Sequence, residues 1–169
     1  YACWSHCIDL IQLLAGPVAT ITATTGTINR DSAGMQAPDL AAAFTIGNGA
    51  TGTILGTCGM SFDFPLFELL IGFEQGRLTF RGLDGDLEFL DYRGNHHELY
   101  SLTRRTSQWD QYKLSFEEAL GAYLASVRAN TEPPVPGLAG LQELQCEAAL
   151  RRSIRCARPV DVQAEFPLD

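Results

Sequence analysis

The sequence contains few charged residues, and most of those are acidic. Charged side chains make up 19% of the 169 residues, and the formal net charge is −8. A nucleic-acid-binding surface requires a basic patch, and the pairs Arg104-Arg105 and Arg151-Arg152 are too small to form one. We therefore expect no nucleic-acid partner. The long uncharged runs are rich in glycine, threonine and alanine and contain turn signals, so we expect no membrane partner either.

The cysteines form no pattern that is typical of a disulfide framework or a zinc site. Their number is odd, no Cys-x-x-Cys occurs, and they stand at Cys3, Cys7, Cys58, Cys146 and Cys156. Free thiols favour a reducing compartment, and we predict a cytoplasmic location. One alternative is that Cys3, His6 and Cys7 share a helix face and bind a soft metal. Because a fourth ligand is not evident, no metal site is predicted.

The stretch from Asp39 to Phe62 contains two runs that suit β-strands on either side of Asn48-Gly49. This dipeptide is typical of a type I′ hairpin turn, in which both positions have positive φ. No charged residue occurs between Asp39 and Asp63, so both faces of the hairpin are neutral and both are expected to be covered. The chain's own helices would cover one face and a second copy of the sheet the other. We expect this hairpin at the centre of an antiparallel sheet that forms a homodimer or tetramer.

The same turn contains a formal dinucleotide-binding fingerprint. Gly47-Asn-Gly49-Ala-Thr-Gly52 fits the pattern Gly-x-Gly-x-x-Gly. That motif must be followed by a helix whose N-terminus binds a pyrophosphate. Here Thr53-Ile-Leu follows, and β-branched residues favour a strand. The sequence therefore predicts a hairpin turn at this position and no nucleotide site.

Periodicity predicts a helix, then strands, then two long helices. The first helix has a candidate N-cap at Ser5 and ends at Gly16-Pro17, and a capping box at Ser115 and Glu118 is expected to mark the second. Strands are predicted at 18–28, around the hairpin, and at 66–73, 77–81, 87–92 and 97–102. Helices are predicted at 116–127 and 138–155, and a short edge strand at 158–162 follows them. This order predicts a single α+β domain over residues 1–169, with a mostly antiparallel, open-faced sheet and helices packed on one face.

One group of residues near the N-terminus has the chemistry of a catalytic site. His6 is expected in the first turn of the first helix, where the positive end of the dipole disfavours imidazolium and leaves a neutral general base. Asp9 lies three residues later on nearly the same face, where it can contact a polyol substrate or orient a partner. The alternative is purely structural, because histidine and aspartate are common in a first turn.

Positions 5–16, Ser-His-Cys-Ile-Asp-Leu-Ile-Gln-Leu-Leu-Ala-Gly, resemble the start of the C-terminal domain of the Gfo/Idh/MocA oxidoreductases. These proteins are relatives of glucose–fructose oxidoreductase and inositol 2-dehydrogenase. The resemblance covers nearly the whole chain, and its further segments are 48–53, 72–80, 116–134, 138–155 and 158–160.

The resemblance implies a dihydrodipicolinate-reductase-like C-terminal domain that supplies a substrate pocket and an oligomer contact through its open sheet face. It implies hydride transfer to or from a sugar, a polyol or a related compound. NAD or NADP would be bound mainly by an N-terminal Rossmann domain that is absent from these residues, so no cofactor and no activity are expected of this chain alone. His6 matches the family's catalytic histidine, and Asp9 matches the acidic residue three positions later. Tyr112 lies on a segment that approaches the active site in relatives, and we predict that it contacts substrate.

One departure from the family keeps other functions open. Many members carry an aspartate four residues before the histidine, where this chain has Ala2. Without that carboxylate, another group has to orient His6. The main alternative is a non-catalytic relative that serves as an association or ligand-binding domain. A second is a lyase or hydrolase that uses a bound nicotinamide transiently.

Overall fold

The computed structural model describes residues 2–26, 39–56, 67–82, 85–101 and 107–168, without the side chains of residues 2–4 and 108. The chain divides into two compact units, the first made of Tyr1–Ser61 with Val135–Asp169 and the second of Phe62–Pro134. The elements in chain order are α1 (Ala2–Ala15), β1 (Val18–Thr25), β2 (Leu40–Ile46), β3 (Thr51–Gly56), β4 (Glu68–Phe73), β5 (Gly76–Arg81), β6 (Leu87–Asp91), β7 (His96–Tyr100), α2 (Gln108–Ala129), α3 (Gly137–Cys156), β8 (Val160–Asp161) and α4 (Val162–Glu165). The predicted α+β fold with antiparallel sheets is confirmed.

The first unit combines a four-stranded antiparallel sheet, in the order β3-β2-β1-β8, with α1, α3 and α4. Alternate residues of the strands point into the core and meet apolar residues of α1 and α3. The buried core consists of Ile8, Val18, Ile21, Ala23, Leu40, Ala42, Ile46, Cys146, Ala149, Leu150, Val160 and Val162. One face of this sheet is thus covered by the chain's own helices, as the sequence predicts.

The predicted hairpin is present as β2 and β3, but two details of it differ from the prediction. Within the described residues β3 is an edge strand, so the hairpin is not central. The turn is not type I′ either, because Gly49 has φ +92° while Asn48 is not among the residues with positive φ. The Ile46 carbonyl accepts from the Gly49 N–H at 2.9 Å, and the Ile46 N–H donates to the Ala50 carbonyl at 2.8 Å. This is a three-residue connection that needs glycine only at its third position. The predicted continuation of the hairpin from 57 to 62 and the predicted end of β1 at 27–28 lie outside the described residues.

The second unit contains the sheet β4-β5-β6-β7, a meander of sequential antiparallel strands, and α2. The described strands therefore form two antiparallel sheets, where the sequence predicts one. Helix α2 starts earlier than the capping box predicts. Its N-cap is Ser107, whose Oγ accepts from the Asp110 N–H at 3.1 Å, so Ser115 and Glu118 both lie inside the helix.

The long helices α2 and α3 exist as predicted, but their leucine-rich stripes are exposed. On α3, Leu138, Leu141 and Leu144 are each more than half exposed. The buried face of α3 instead consists of Gln145, Cys146, Ala149, Leu150 and Ser153. The exposed stripe of α2 includes Phe116, Leu120, Tyr123, Leu124 and Val127. Small and polar side chains let α3 approach β1 closely, and this packing decides which face is buried. No helix in the described ranges is both long enough and apolar enough to span a bilayer.

Helix α1 begins at Ala2 and ends at Ala15, with Gly16 at φ +101° as the predicted stop. The Gly16 N–H donates to the Gln12 carbonyl at 3.0 Å, which closes the last turn. Ser5 lies inside the helix and is not its N-cap, contrary to the prediction.

Candidate functional site

The predicted site residues His6 and Asp9 lie together on α1. They are three positions apart on the helix and therefore neighbours on its surface. His6 is exposed and Asp9 is half-buried. Because α1 begins at Ala2, His6 is its fifth residue and lies beyond the first turn, where the dipole effect has largely decayed. The prediction that His6 lies in the first turn of the helix is therefore wrong.

A third titratable side chain, Glu143 of α3, belongs to the same group. Burial, the Glu147 carboxylate and the Asp9 carboxylate raise the pKa of Glu143, in that order, and the charge of His6 acts in the opposite direction. Its Oε1 atom is buried and has no hydrogen-bond partner in the described structure. Sequence analysis missed Glu143, since nothing in the spacing along α3 indicates which helix faces it.

The packing of α1 on α3 sets the register of this group. The Cys146 thiol of α3 donates to Oε1 of Gln12 on α1 at 3.3 Å. Burial raises the pKa of Cys146 to about 12, so at neutral pH it is a thiol donor and a poor nucleophile. One turn towards the N-terminus from Gln12 and from Cys146 lie Asp9 and Glu143. The helices therefore run in the same direction here and bring these two carboxyl groups together.

The C-terminal end of α1 is tied to the β2–β3 hairpin. Nδ2 of Asn48 donates to the carbonyl of Ala15 at 3.2 Å, while its Oδ1 accepts from the Ala50 N–H at 2.9 Å. The Gly47 N–H donates to the Pro17 carbonyl at 3.0 Å. The turn that carries the glycine pattern thus anchors the helix that carries His6.

Tyr112, the third predicted site residue, belongs to the second unit. It lies near the start of α2, about half exposed, with its ring edge-on to Trp109 at 6.1 Å and to Phe116 at 5.0 Å between ring centroids. Three aromatic rings thus line one exposed strip of α2. The predicted substrate contact of Tyr112 stays a prediction.

The glycine pattern at 47–52 does not fit a dinucleotide-binding loop. The Gly47–Gly52 segment connects two strands, and no helix follows it. A side chain at Gly52 would collide with the ring of Phe44, so this space is filled by the protein itself.

A small cavity nearby is lined with apolar side chains only, among them Ile8, Phe44 and Leu150. In the described part of the chain, no group of three or more histidine, cysteine, aspartate or glutamate residues is arranged to hold a metal ion.

The fold is found in solved oxidoreductase structures. An oxidoreductase from Agrobacterium radiobacter, in complex with NAD+, L-tartaric acid and magnesium, matches 96% of this chain with a TM-score of 0.80 and 19% identity. The UDP-N-acetylglucosamine 3-dehydrogenase GnnA from Acidithiobacillus ferrooxidans matches 90% with a TM-score of 0.71 and 18% identity. The WlbA dehydrogenase from Bordetella pertussis, in complex with NADH and UDP-GlcNAcA, matches 98% with a TM-score of 0.59 and 21% identity.

The chain spans about half the length of these proteins, namely 48%, 46% and 44% of the three solved chains. Neither a protein-family model nor a curated protein matches the sequence. Two of these proteins were solved with a nicotinamide cofactor, NAD+ or NADH. The 169 residues therefore have the α+β fold of one half of these oxidoreductases, and the fold that the sequence resemblance predicts is confirmed.

Proposed function

We propose that these residues form the substrate-binding and oligomerisation domain of an NAD(P)-dependent oxidoreductase that acts on a sugar, a polyol or a related compound. The observation that carries the proposal is the His6–Asp9–Glu143 group on a fold that is shared with solved oxidoreductases. NAD or NADP would be bound mainly by a Rossmann domain outside these 169 residues, because the glycine pattern at 47–52 forms a hairpin turn and not a nucleotide loop. The cytoplasmic location is proposed with it, on the basis of the free thiols of Cys146 and Cys156.

Oxidation of a secondary alcohol removes a proton from oxygen and a hydride from carbon. NAD(P), when bound, supplies the hydride acceptor. His6 supplies the proton acceptor, because it is exposed and an imidazole is the common general base near neutral pH. Asp9, one turn along the same helix face, is placed to accept hydrogen bonds from the other hydroxyl groups of a polyol.

The proposal is tested by replacing His6 in the full-length natural protein. We expect His6→Gln to lower kcat by about 100- to 10,000-fold, the usual contribution of a general base, in assays of nicotinamide reduction with polyols, sugars and sugar nucleotides. His96→Gln is the matched control, because His96 is also exposed but lies on β7 and pairs with Glu98. Activity of the His6 variant within about threefold of the native protein would refute the catalytic role.

A non-catalytic relative remains the second candidate, because Ala2 has no carboxylate with which to orient His6. Ala2→Asp separates the two. A large gain in polyol oxidation would indicate an enzyme that has lost its orienting group. An inert native protein that the substitution does not activate would favour an association or ligand-binding domain.

The outer face of the first sheet supports the proposed homo-oligomer. Strands β1, β2 and β3 contain no charged residue. Their outward side chains are small or neutral, and Leu55 is 80% exposed there. A neutral face of this kind is typical of a surface covered by another subunit.

The oligomer is tested by placing a charge on that face. Leu55→Glu is expected to shift the protein to monomer in sedimentation velocity, while Leu13→Glu, at an equally exposed leucine of α1, leaves the assembly unchanged. A native protein that stays monomeric at high concentration would contradict the proposal.

A further inference from the structure

We infer that Glu143 is the positioning residue of His6, and that its carboxylate holds the imidazole when the ring takes up the substrate proton. This inference rests on the proposed function, since it assigns a partner to the proposed general base. Glu143 lies on α3 and His6 on α1, so the pair joins two helices that pack directly against each other.

The buried oxygen of Glu143 is the first argument. Buried polar atoms in folded proteins are almost always hydrogen-bonded, because an unpaired acceptor loses its hydration without compensation. Oε1 of Glu143 has no partner among the described residues. On the same helix pair, the buried Cys146 thiol does have a partner, Oε1 of Gln12. The N–H of a neighbouring imidazole would satisfy this oxygen, because a neutral ring carries that hydrogen on the nitrogen that does not accept the substrate proton.

The charges around Glu143 identify that donor. Two of the groups whose charges shift the pKa of Glu143 are carboxylates, Asp9 and Glu147. The Cys146 thiol is a further neighbour, because the charge of Glu143 helps to raise its pKa. His6 is the one group in this described set that carries a positive charge when protonated. Burial and the two carboxylates therefore disfavour the ionised form of Glu143. A positive charge on His6 favours that form.

The proton transfer balances without another reactant. The hydroxyl O–H bond of the substrate breaks, and the proton binds one ring nitrogen of His6. The N–H of the other ring nitrogen, which the neutral ring already carries, donates to the carboxylate of Glu143, and this hydrogen bond becomes charge-assisted once the ring is protonated. A carboxylate that accepts from the far side of a catalytic imidazole fixes its tautomer and stabilises the imidazolium.

The first test is kinetic and uses the full-length natural protein. We expect Glu143→Gln to lower kcat by about 10- to 100-fold with KM changed less than twofold, and Glu143→Asp to restore part of the loss. Glu74→Gln is the control, because Glu74 is exposed in the turn between β4 and β5 and is not among the groups that act on Glu143. It should leave kcat within twofold. Unfolding temperatures of all three variants show whether the fold is intact.

The second test does not depend on turnover. In a 13C NMR titration of the carboxyl groups, His6→Gln should raise the pKa of Glu143 further, because the favourable charge is lost, whereas His96→Gln should not move it. An unchanged Glu143 titration in the His6 variant overturns the inference. An inactive His6→Gln together with a fully active Glu143→Gln also overturns it and leaves the proposed function intact. An active His6→Gln refutes the proposed function itself.

Discussion

Replacing Ser153 by alanine should weaken the first unit strongly, although it removes a single oxygen atom. The Ser153 side chain is completely buried. Its Oγ accepts from the Ala23 N–H of β1 at 2.9 Å and donates to the Arg158 carbonyl at 2.7 Å. β8 pairs only with Thr20 and Ile21 of β1, so it is too short to reach Ala23. The hydroxyl therefore continues the hydrogen bonding of the sheet where the strand has ended.

The expected cost follows from the two groups that lose their partner. A buried N–H or C=O that is left unpaired costs about 1–3 kcal/mol, so Ser153→Ala should lower the free energy of unfolding by about 3 kcal/mol. The matched control is Ser126→Ala on α2. Ser126 is also buried, but its Oγ donates only to the Tyr123 carbonyl one turn back, in its own helix. That carbonyl keeps its helical partner, so the control should change stability by less than about 0.5 kcal/mol.

Urea unfolding followed by circular dichroism measures the difference. With a slope of about 2 kcal/mol/M, a loss of 3 kcal/mol corresponds to a midpoint about 1.5 M lower. Amide hydrogen exchange adds a local check, since the Ala23 N–H should lose its protection selectively in the Ser153 variant. If the two serine variants have the same midpoint, or if Ala23 stays protected, the assigned role of Ser153 is wrong.

Two further predictions concern a glycine and an acid-sensitive ion pair. Gly52→Ala would push a methyl group into the Phe44 ring and should lower the free energy of unfolding by about 1–3 kcal/mol. A methyl group at Gly72 meets open space, so Gly72→Ala should raise the free energy of unfolding by about 0.5 kcal/mol in the same urea experiment. Equal effects of the two substitutions would contradict the contact between position 52 and Phe44. The Arg158 guanidinium, followed by a second arginine, lowers the pKa of Glu165 to about 2. Because this folded value lies below the unfolded value of about 4.3, the ion pair stabilises the protein above that pH, and the gain is lost as the pH falls towards 2. The urea midpoint of the native protein should therefore be higher than that of Arg158→Met at pH 6, and the two midpoints should converge near pH 2. A difference that does not change with pH would refute the stabilising role of the Arg158–Glu165 ion pair.

Local signals predicted the elements of this chain well, because they depend on neighbouring residues. Gly16 ends α1 through its positive φ, and the charge-free run around Asn48 forms the hairpin. The errors arise where tertiary packing decides. The Ser115 capping box matches a common pattern, but Ser107 supplies the actual cap eight residues earlier. The leucines of α3 form the more obvious apolar stripe, but the helix packs through the face that allows close approach to β1.

In the candidate site too, the residues that are close in sequence could be predicted, and the residue that tertiary packing brings in could not. His6 and Asp9 are found from spacing and from the family resemblance, since both lie on one helix. Glu143 stands 134 residues after Asp9 by their numbers in the sequence, and its role depends on how α3 meets α1. No pattern along the chain contains that information. It appears only when the Cys146–Gln12 hydrogen bond fixes the register of the two helices.

The two sheets should respond differently to ionic strength. In the first sheet the central strands carry no charge, and a hydroxyl pair, Thr20 with Thr45 at 2.7 Å, bridges β1 and β2. The second sheet is crossed by ion pairs, with Glu68 to Arg81 at 3.1 Å and Glu88 to Arg77 at 3.2 Å. Mobile ions screen partly exposed pairs, each worth about 0.2–1 kcal/mol, but leave hydroxyl contacts and apolar burial intact. At high salt concentration the first sheet should therefore keep its stability, whereas the ion pairs that cross the second sheet should contribute less.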